Sequence, residues 1–459
     1  MSVFIPPFPP RPEKALSIVE MLRRGSTNFI SIFEESAFVH QTMSLQVLTR
    51  QVFICNSPES INEAFVEKAA NFERKSPQIR SGLTPLIGDA LAISDGPAWA
   101  QRRALVEGVL SASRTQALLP EVLAILDAVT ADWPQGPQAQ DIDMLDATAT
   151  LSARIIGGLL FGPSFGAAEA AAIRAAIADY QKHTDRSDLP LLLGLPSWKP
   201  FRQNTPILRS AGAVHALFER LLAASLDSGS GLACVLRDSG QLDPTALRNE
   251  LISLYLGGDD TVGALLAWVF YLVSQARDVE ARLEEELYAF VGPQLKPAEE
   301  LARLPFVRAI LCEAARLYPP VPMFARQAQA ADEINKRKIS AGALVVVIPW
   351  LLHRHRNLWH EPDLFQPERF LPNARRKLRE NAFVAFSIGP RACPGAALGL
   401  AEAAVCVAAL SHRYQFRLKP GTVVEPVCHH TLRPSPGLPM RVQRRVLPTG
   451  VRVPAPRAS

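Results

Sequence analysis

The sequence predicts a mainly α fold with a small β lobe, and three observations carry that expectation. Alanine- and leucine-rich stretches with charges every three or four residues recur along most of the 459 residues. Strand-like runs are few, short and far apart in the chain, as in a small sheet set against a large helical body. No Ser/Gly linker, charge block or internal repeat divides the chain, so one domain over residues 1–459 is expected despite its length.

Taken in order, helical patterns cover 59–70, 97–111, 115–132, 142–160, 165–182, 207–227, 244–276, 278–291, 299–318 and 395–412. The strand-like runs are 45–54, 343–348 and 414–419, and the β lobe is expected from about 37–56, 320–350 and 414–442. The stretch from Leu189 to Pro206 is too rich in proline for either element and reads as a long loop of the kind that often covers a binding site. The longest helix starts at Asp243, an N-cap residue placed before Pro244 at the first helical position.

Bulk properties exclude several functions. A formal net charge of +5 with no basic stripe interleaved with aromatics argues against nucleic-acid binding. The six cysteines (55, 234, 312, 393, 406 and 428) are scattered, with no Cys-x-x-Cys pair, which points to reduced thiols and a cytoplasmic setting. Prolines interrupt the apolar N-terminus, so no membrane anchor is expected there, and Ala264–Val273 is short enough to be a core helix segment. His353 and His355, like His429 and His430, lack convergent ligand spacing and read as packing or surface residues.

The chemistry concentrates around Cys393, in the run Phe386-Ser-Ile-Gly389-Pro-Arg391-Ala-Cys393-Pro-Gly395. Glycines on both sides allow a sharp turn and close approach to a flat ligand. Backbone N–H groups can hold the thiolate, and the helix that starts after Gly395 directs its positive end at it. This run resembles the haem-binding signature of cytochromes P450, with every fixed position present; five such matches arise by chance in roughly one chain in 10⁴ of this length.

That resemblance implies a P450 fold with a long oxygen-binding helix over haem b, and Cys393 as the iron ligand. It extends to Gly257-Gly258-Asp259-Asp260-Thr261, in the middle of the longest helix. Two glycines in a helix interior cost about 1 kcal/mol each relative to alanine, and acids in an apolar stretch add a desolvation cost, a local conflict expected where function demands it. By resemblance Asp260 and Thr261 are the catalytic proton-delivery pair, Gly257 and Gly258 admit the cofactor, and Asp259 is a bystander or salt-bridge partner.

The pattern Glu-x-x-Arg occurs at Glu313–Arg316 and also at Glu20–Arg23 and Glu300–Arg303. Only the first is followed by Leu-Tyr-Pro-Pro-Val-Pro and then, before the cysteine run, by Pro367-Glu368-Arg369-Phe370. The family's structural triad is therefore expected at Glu313, Arg316 and Arg369. The propionate clamps implied are Trp99 and Arg103, preferred over the identically spaced Trp198 and Arg202 because they lie in a helical pattern, together with Arg326 and Arg391.

By analogy the pocket is lined by the loop Ser76–Ile87, the segment Tyr180–Phe201, residues Tyr255–Val262, the turn Val321–Ala325 and the C-terminal turn Arg433–Leu438. Leu83, Leu86, Leu192, Leu256, Met323, Phe324 and Leu438 are its apolar lining. Arg80 and Arg433 are each either solvated or partners for a substrate carboxylate. A hydrophobic small-molecule substrate, O2, and electrons from a separate ferredoxin and ferredoxin reductase, ultimately NAD(P)H, are implied, since the stretch after Cys393 is too short for a flavin or iron–sulfur module. The basic cluster Arg375, Arg376, Lys377 and Arg379 is either a docking patch for an acidic donor or a charged loop without a partner. A peroxide-driven hydroxylase, an isomerase on the same scaffold, and a non-catalytic haem- or gas-binding protein are the competing expectations. None of these competitors needs an acid–alcohol pair.

Overall fold

A computed structural model describes residues 4–14, 16–47, 50–184, 205–291 and 295–445. Its helices of eight residues or more are α1 (Ile18–Gly25), α2 (Pro77–Ile87), α3 (Gly96–Val109), α4 (Ala112–Val129), α5 (Met144–Phe161) and α6 (Ala167–Thr184). They continue with α7 (Thr205–Ser228), α8 (Pro244–Gln275), α9 (Arg277–Phe290), α10 (Pro305–Leu317) and α11 (Ala396–Arg413). The strands are β1 (Thr42–Val47), β2 (Arg50–Cys55), β3 (Arg74–Lys75), β4 (Gln140–Asp143), β5 (Phe324–Gln327) and β6 (Asp332–Ile334). After them come β7 (Arg337–Ile339), β8 (Leu344–Val347), β9 (Tyr414–Leu418), β10 (Glu425–Cys428), β11 (Leu432–Ser435) and β12 (Pro439–Arg444).

The expected helical body is present, with α8 at its centre. Asp243 caps this helix by accepting from the Ala246 N–H at 2.9 Å, and Pro244 occupies the first turn. Helix α8 packs closely on α5, because two α8 residues lack side chains at the crossing. A Cβ on Gly258 would lie 2.8 Å from Ile156, and one on Gly263 would lie 3.1 Å from the Ala149 Cα. Helices α5, α8 and α11 are each long and apolar enough to cross a membrane by length and composition, but 67% of each apolar window is buried within the protein. Their apolar surface is used in the core, where Trp268, Leu266, Leu159 and Val405 are fully or almost fully buried.

Three elements depart from the sequence expectation. The run 45–54 is a hairpin of β1 and β2, paired antiparallel from Thr42↔Cys55 to Val47↔Arg50. Residues 76–87 are a helix rather than a loop: Ser76 caps it by accepting from Ile79 N–H, and Pro77 opens it. Gly82 and Pro85 inside the segment hid that pattern. The run 299–318 is broken before Pro305, whose ring disfavours helix at Leu304. Helix α10 then starts afresh, its first N–H groups at Phe306 and Val307 donating to Glu286 of α9 at 2.7 and 3.0 Å.

The strand region divides into sheets. One has the order β1-β2-β8-β5-β3, with β2 and β8 parallel; a second has β4-β12-β9, and β10 pairs with β11. Within 414–442, β9 and β12 therefore form a sheet that recruits β4 from beside α5, a strand too short and polar to read from sequence, while β10 and β11 pair separately. In the first sheet, Lys75 of β3 is the register partner of Arg326 of β5, which places two cations side by side. The stretch 189–206 falls almost entirely outside the described residues, as do Leu192, Trp198 and Arg202.

Candidate functional site

The loop before α11 is closed by its own backbone. Cys393 N–H donates to Phe386 O at 2.8 Å and Ala392 N–H donates to Gly389 O at 3.0 Å, so residues 386–393 form a compact turn. Gly389 sits at φ +70°, and a Cβ there would meet Phe65 O at 2.1 Å, so only glycine fits this turn. Gly395 has open space, its nearest neighbours being Cys393 Sγ and Leu110 at 3.9 Å. Of the six cysteines Cys393 alone is exposed; the other five are buried. Enough protein nevertheless surrounds Cys393 for burial to push its thiol pKa up, against the Gly395 N–H and the charges of Arg103 and Lys75, which favour thiolate. A bound metal ion would complete that deprotonation.

The segment leading to this loop is fixed by a buried ion-pair network. Glu313 and Arg316 are both fully buried and joined through two 2.7 Å bonds in a fork-to-carboxylate pair. Arg316 also donates to the carbonyls of His353, Pro362 and Leu364 at 2.7–2.9 Å, and Gln366 N–H donates to Glu313. Arg369 Nε lies 3.4 Å from the same carboxylate and bonds Glu361 O. The two sequence decoys behave differently. Glu20 pairs with Arg24 on the surface, and Glu300 accepts from the Lys296 backbone.

A cationic cluster borders the loop. Arg391 stacks 4.2 Å over Trp99 and is only 6% exposed. Arg326 is buried, with an Nη2 that has no hydrogen-bond partner. Burial, together with Arg391, lowers its pKa to about 10. Lys75 was missed from sequence, since only the β3–β5 pairing brings it here; burial and then the charges of Arg326 and Arg391 hold its pKa well below the usual lysine range. Arg103 turns to Glu107 at 2.7 Å and to Ala392 O, holding the cysteine loop itself. A cleft of about 240 Å³ opens at this edge, lined in part by Phe65, Phe72, Glu73, Trp99, Arg326 and Arg391. Buried cations short of partners require an anion. A haem, with a thiolate beneath its iron and two carboxylates at its rim, fits this donor set.

The middle of α8 separates the two glycines. Gly257 has nothing within 4 Å, whereas Gly258 faces Ile156 of α5 and its carbonyl accepts from Ser152 at 3.1 Å. The close approach that Gly258 permits is therefore between helices, and the open backbone is at Gly257. Thr261 donates to Gly257 O at 2.8 Å. Asp260 is held by Arg433 and by the Thr431 hydroxyl, both from the β10–β11 hairpin. The adjacent Trp268 N–H donates to Leu432 O at 3.0 Å, anchoring that hairpin.

Asp259 lies in a different environment. Burial raises its carboxyl to about 6, against the lowering influence of Arg174, Arg433 and Tyr255. Glu402 of α11, which is 2% exposed and leaves Oε1 without a partner, is pushed up to about 8, chiefly by its own burial and further by the charge of Asp259. No sequence signal marked Glu402, which reads as an ordinary helix residue.

Two of the expected pocket residues are deeply buried. Leu86 and Leu438 are within the core, Leu438 because its backbone bonds Asp143 and Met144 at the start of β12. Arg80 pairs with Asp95, and Arg433 with Asp260, so neither is simply solvated. His353 and His355 are buried, and no cluster of metal-ligating side chains occurs among the described residues.

The family described as Cytochrome P450 matches residues 7–442. Cyclooctatin synthase of Streptomyces melanosporofaciens is 24% identical over 84% of this chain and 84% of its own length. Cyclooctat-9-en-7-ol 5-monooxygenase of the same organism is 26% identical over 74% and 75%. The 7-deoxyloganic acid hydroxylase of Catharanthus roseus is 26% identical over 83% and 77%.

Proposed function

Since this chain belongs to the cytochrome P450 family, we infer that it is a monooxygenase that hydroxylates an uncharged, terpenoid-like molecule, with haem b on Cys393 and electrons from a separate ferredoxin and reductase. The family and its relatives make the chain a haem-dependent oxidoreductase acting with O2 on a small molecule. The observation that carries the finer reading is the closed cysteine loop beside a buried cationic cluster with too few acids.

When bound, the haem supplies dioxygen activation, with electron push from the thiolate favouring O–O cleavage. The chain's own residues do the rest. Arg316 and Glu313 fix the segment that leads to the loop, and Arg103 holds the loop at Ala392. Arg326, Arg391, Lys75 and Trp99 orient the cofactor's carboxylate rim. Asp260 and Thr261 supply protons, and Asp260 must leave Arg433 to do so.

The neutral substrate follows from Arg80 and Arg433, each already paired with an internal acid, so a substrate carboxylate would have to displace one of them. Terpenoid chemistry is supported by the names of the bacterial relatives. The exposed Arg375, Arg376, Lys377 and Arg379 suit an acidic electron donor. Titrating neutral terpene alcohols and fatty acids against the haem-loaded protein tests the reading. The terpene alcohols should move the Soret band from low to high spin, and product should form with ferredoxin, reductase and NAD(P)H. Turnover with hydrogen peroxide alone, or a spin shift only with fatty acids, would overturn it.

A further inference from the structure

One carboxylate sits among the cations at the edge of the cysteine loop. Asp95, at the N-terminus of α3, is ion-paired with Arg80 of α2 and lies 3.4 Å from Arg391 and 3.9 Å from Arg74. Its charge also acts on Lys75 and Arg326, partly opposing the lowering of their pKa by burial and by neighbouring cations. The backbone beside it reinforces the arrangement: Arg391 donates to Ser94 O at 2.8 Å and Arg80 donates to Ile93 O at 3.0 Å. Residues 93–95 therefore bridge α2 to the loop that carries Cys393. Glu73, 3.9 Å from Arg391, is the other acid here, so two carboxylates face five cations.

Helix α2 is in turn tied to the helices packed on its other side. The Tyr180 hydroxyl of α6 donates to Gly82 O at 2.7 Å, and His215 of α7 bonds Leu86 O at 2.8 Å. A continuous set of polar contacts thus runs from α6 and α7, through α2 and Asp95, to Arg391.

We propose that Asp95 is a positioning residue that holds Arg391 against Trp99 and, by sharing its charge between Arg80 and Arg391, sets the reduction potential of the haem ligated at Cys393. This rests on the haem reading above. The oxidised iron carries one more positive charge than the reduced iron, so a fixed carboxylate nearby favours the oxidised form and a fixed cation the reduced one. Water screens this pair only in part, since Arg391 is 6% exposed and Asp95 25%.

The experiment is a spectroelectrochemical titration of the haem-loaded full chain and three variants. Asp95→Asn keeps the side-chain shape and should raise the ferrous-to-ferric ratio at fixed potential about tenfold, about 59 mV for one electron. Arg80→Met removes a cation and should lower that ratio about threefold, and Asp95→Glu should stay near wild type. The reduced carbonyl spectrum should keep its thiolate character throughout. Shifts of the same sign in Asp95→Asn and Arg80→Met, or no shift in either, would overturn the proposal with the haem reading intact. Failure of the wild type to bind haem through a thiolate would overturn that reading and the proposal with it.

Discussion

Two regions near Cys393 bury arginines, and they treat the charge in opposite ways. Around Arg316, the Glu313 carboxylate and three backbone carbonyls satisfy the guanidinium, and the pair is fully enclosed. Around Arg326, the Nη2 has no partner, and the nearest charges include Lys75 and Arg391. A balanced network is complete once the chain folds, whereas an unbalanced one gains stability when an anion arrives. On the haem reading proposed above, the first region serves the fold and the second the cofactor. Glu402 shows a third solution, in which burial keeps an acid protonated.

Removing one partner from the balanced region should have the largest effect. Glu313→Ala strands the Arg316 guanidinium and should cost about 3–5 kcal/mol. The purified protein should lack haem; a variant with full haem occupancy and the normal carbonyl spectrum would show that the Glu313–Arg316 pair is not needed to hold the loop.

Glu402 should give a pH effect of similar size. Its folded pKa of about 8 lies above the ordinary carboxyl value of 4.5, so the native state holds a proton that the unfolded chain has released. Stability contributed by the protonated form is present below about pH 4.5 and is lost as pH rises toward 8, by up to about 1.4 kcal/mol per pH unit. Denaturant melts across that window should show the decline, and Glu402→Gln should flatten it.

Arg326→Met sharpens the contrast with Glu313→Ala. Deleting an unpartnered buried cation should leave the apoprotein's melting temperature equal or higher while haem dissociates about tenfold faster, measured by transfer to an apo-acceptor. A lower apoprotein melting temperature would mean that Arg326 serves the fold.

The smallest effect separates the two glycines of α8. Gly258→Ala forces a Cβ to 2.8 Å from Ile156 and should cost about 1–3 kcal/mol, whereas Gly257→Ala meets nothing and should be neutral or stabilising by up to about 1 kcal/mol in denaturant melts.

The parts legible in the sequence were those written in contiguous residues. The Cys393 loop, the Glu313–Arg316 pair and the cap at Asp243 each depend on neighbours a few positions away. Choosing Glu313 over Glu20 and Glu300 required only the residues that follow it. The residues missed depend on pairing across the chain: Lys75 reaches Arg326 through the β3–β5 register, and Asp95 reaches Arg391 across 296 positions. Glu402 was invisible because burial, rather than any motif, sets its chemistry. The direction of Gly258 depended on which face of α8 meets α5, which the run Gly257–Thr261 does not encode.

Cys393, alone among the six cysteines, is expected to ligate haem iron. This ligation is tested most directly by loading wild type and Cys393→Ala with haem, reducing them and recording the carbonyl complex. The wild type should show the red-shifted Soret band of thiolate ligation, and Cys393→Ala should lose it while Glu313 and Arg316 keep the apoprotein folded. A thiolate-type band that survives in Cys393→Ala would place the ligand on another cysteine and contradict the account.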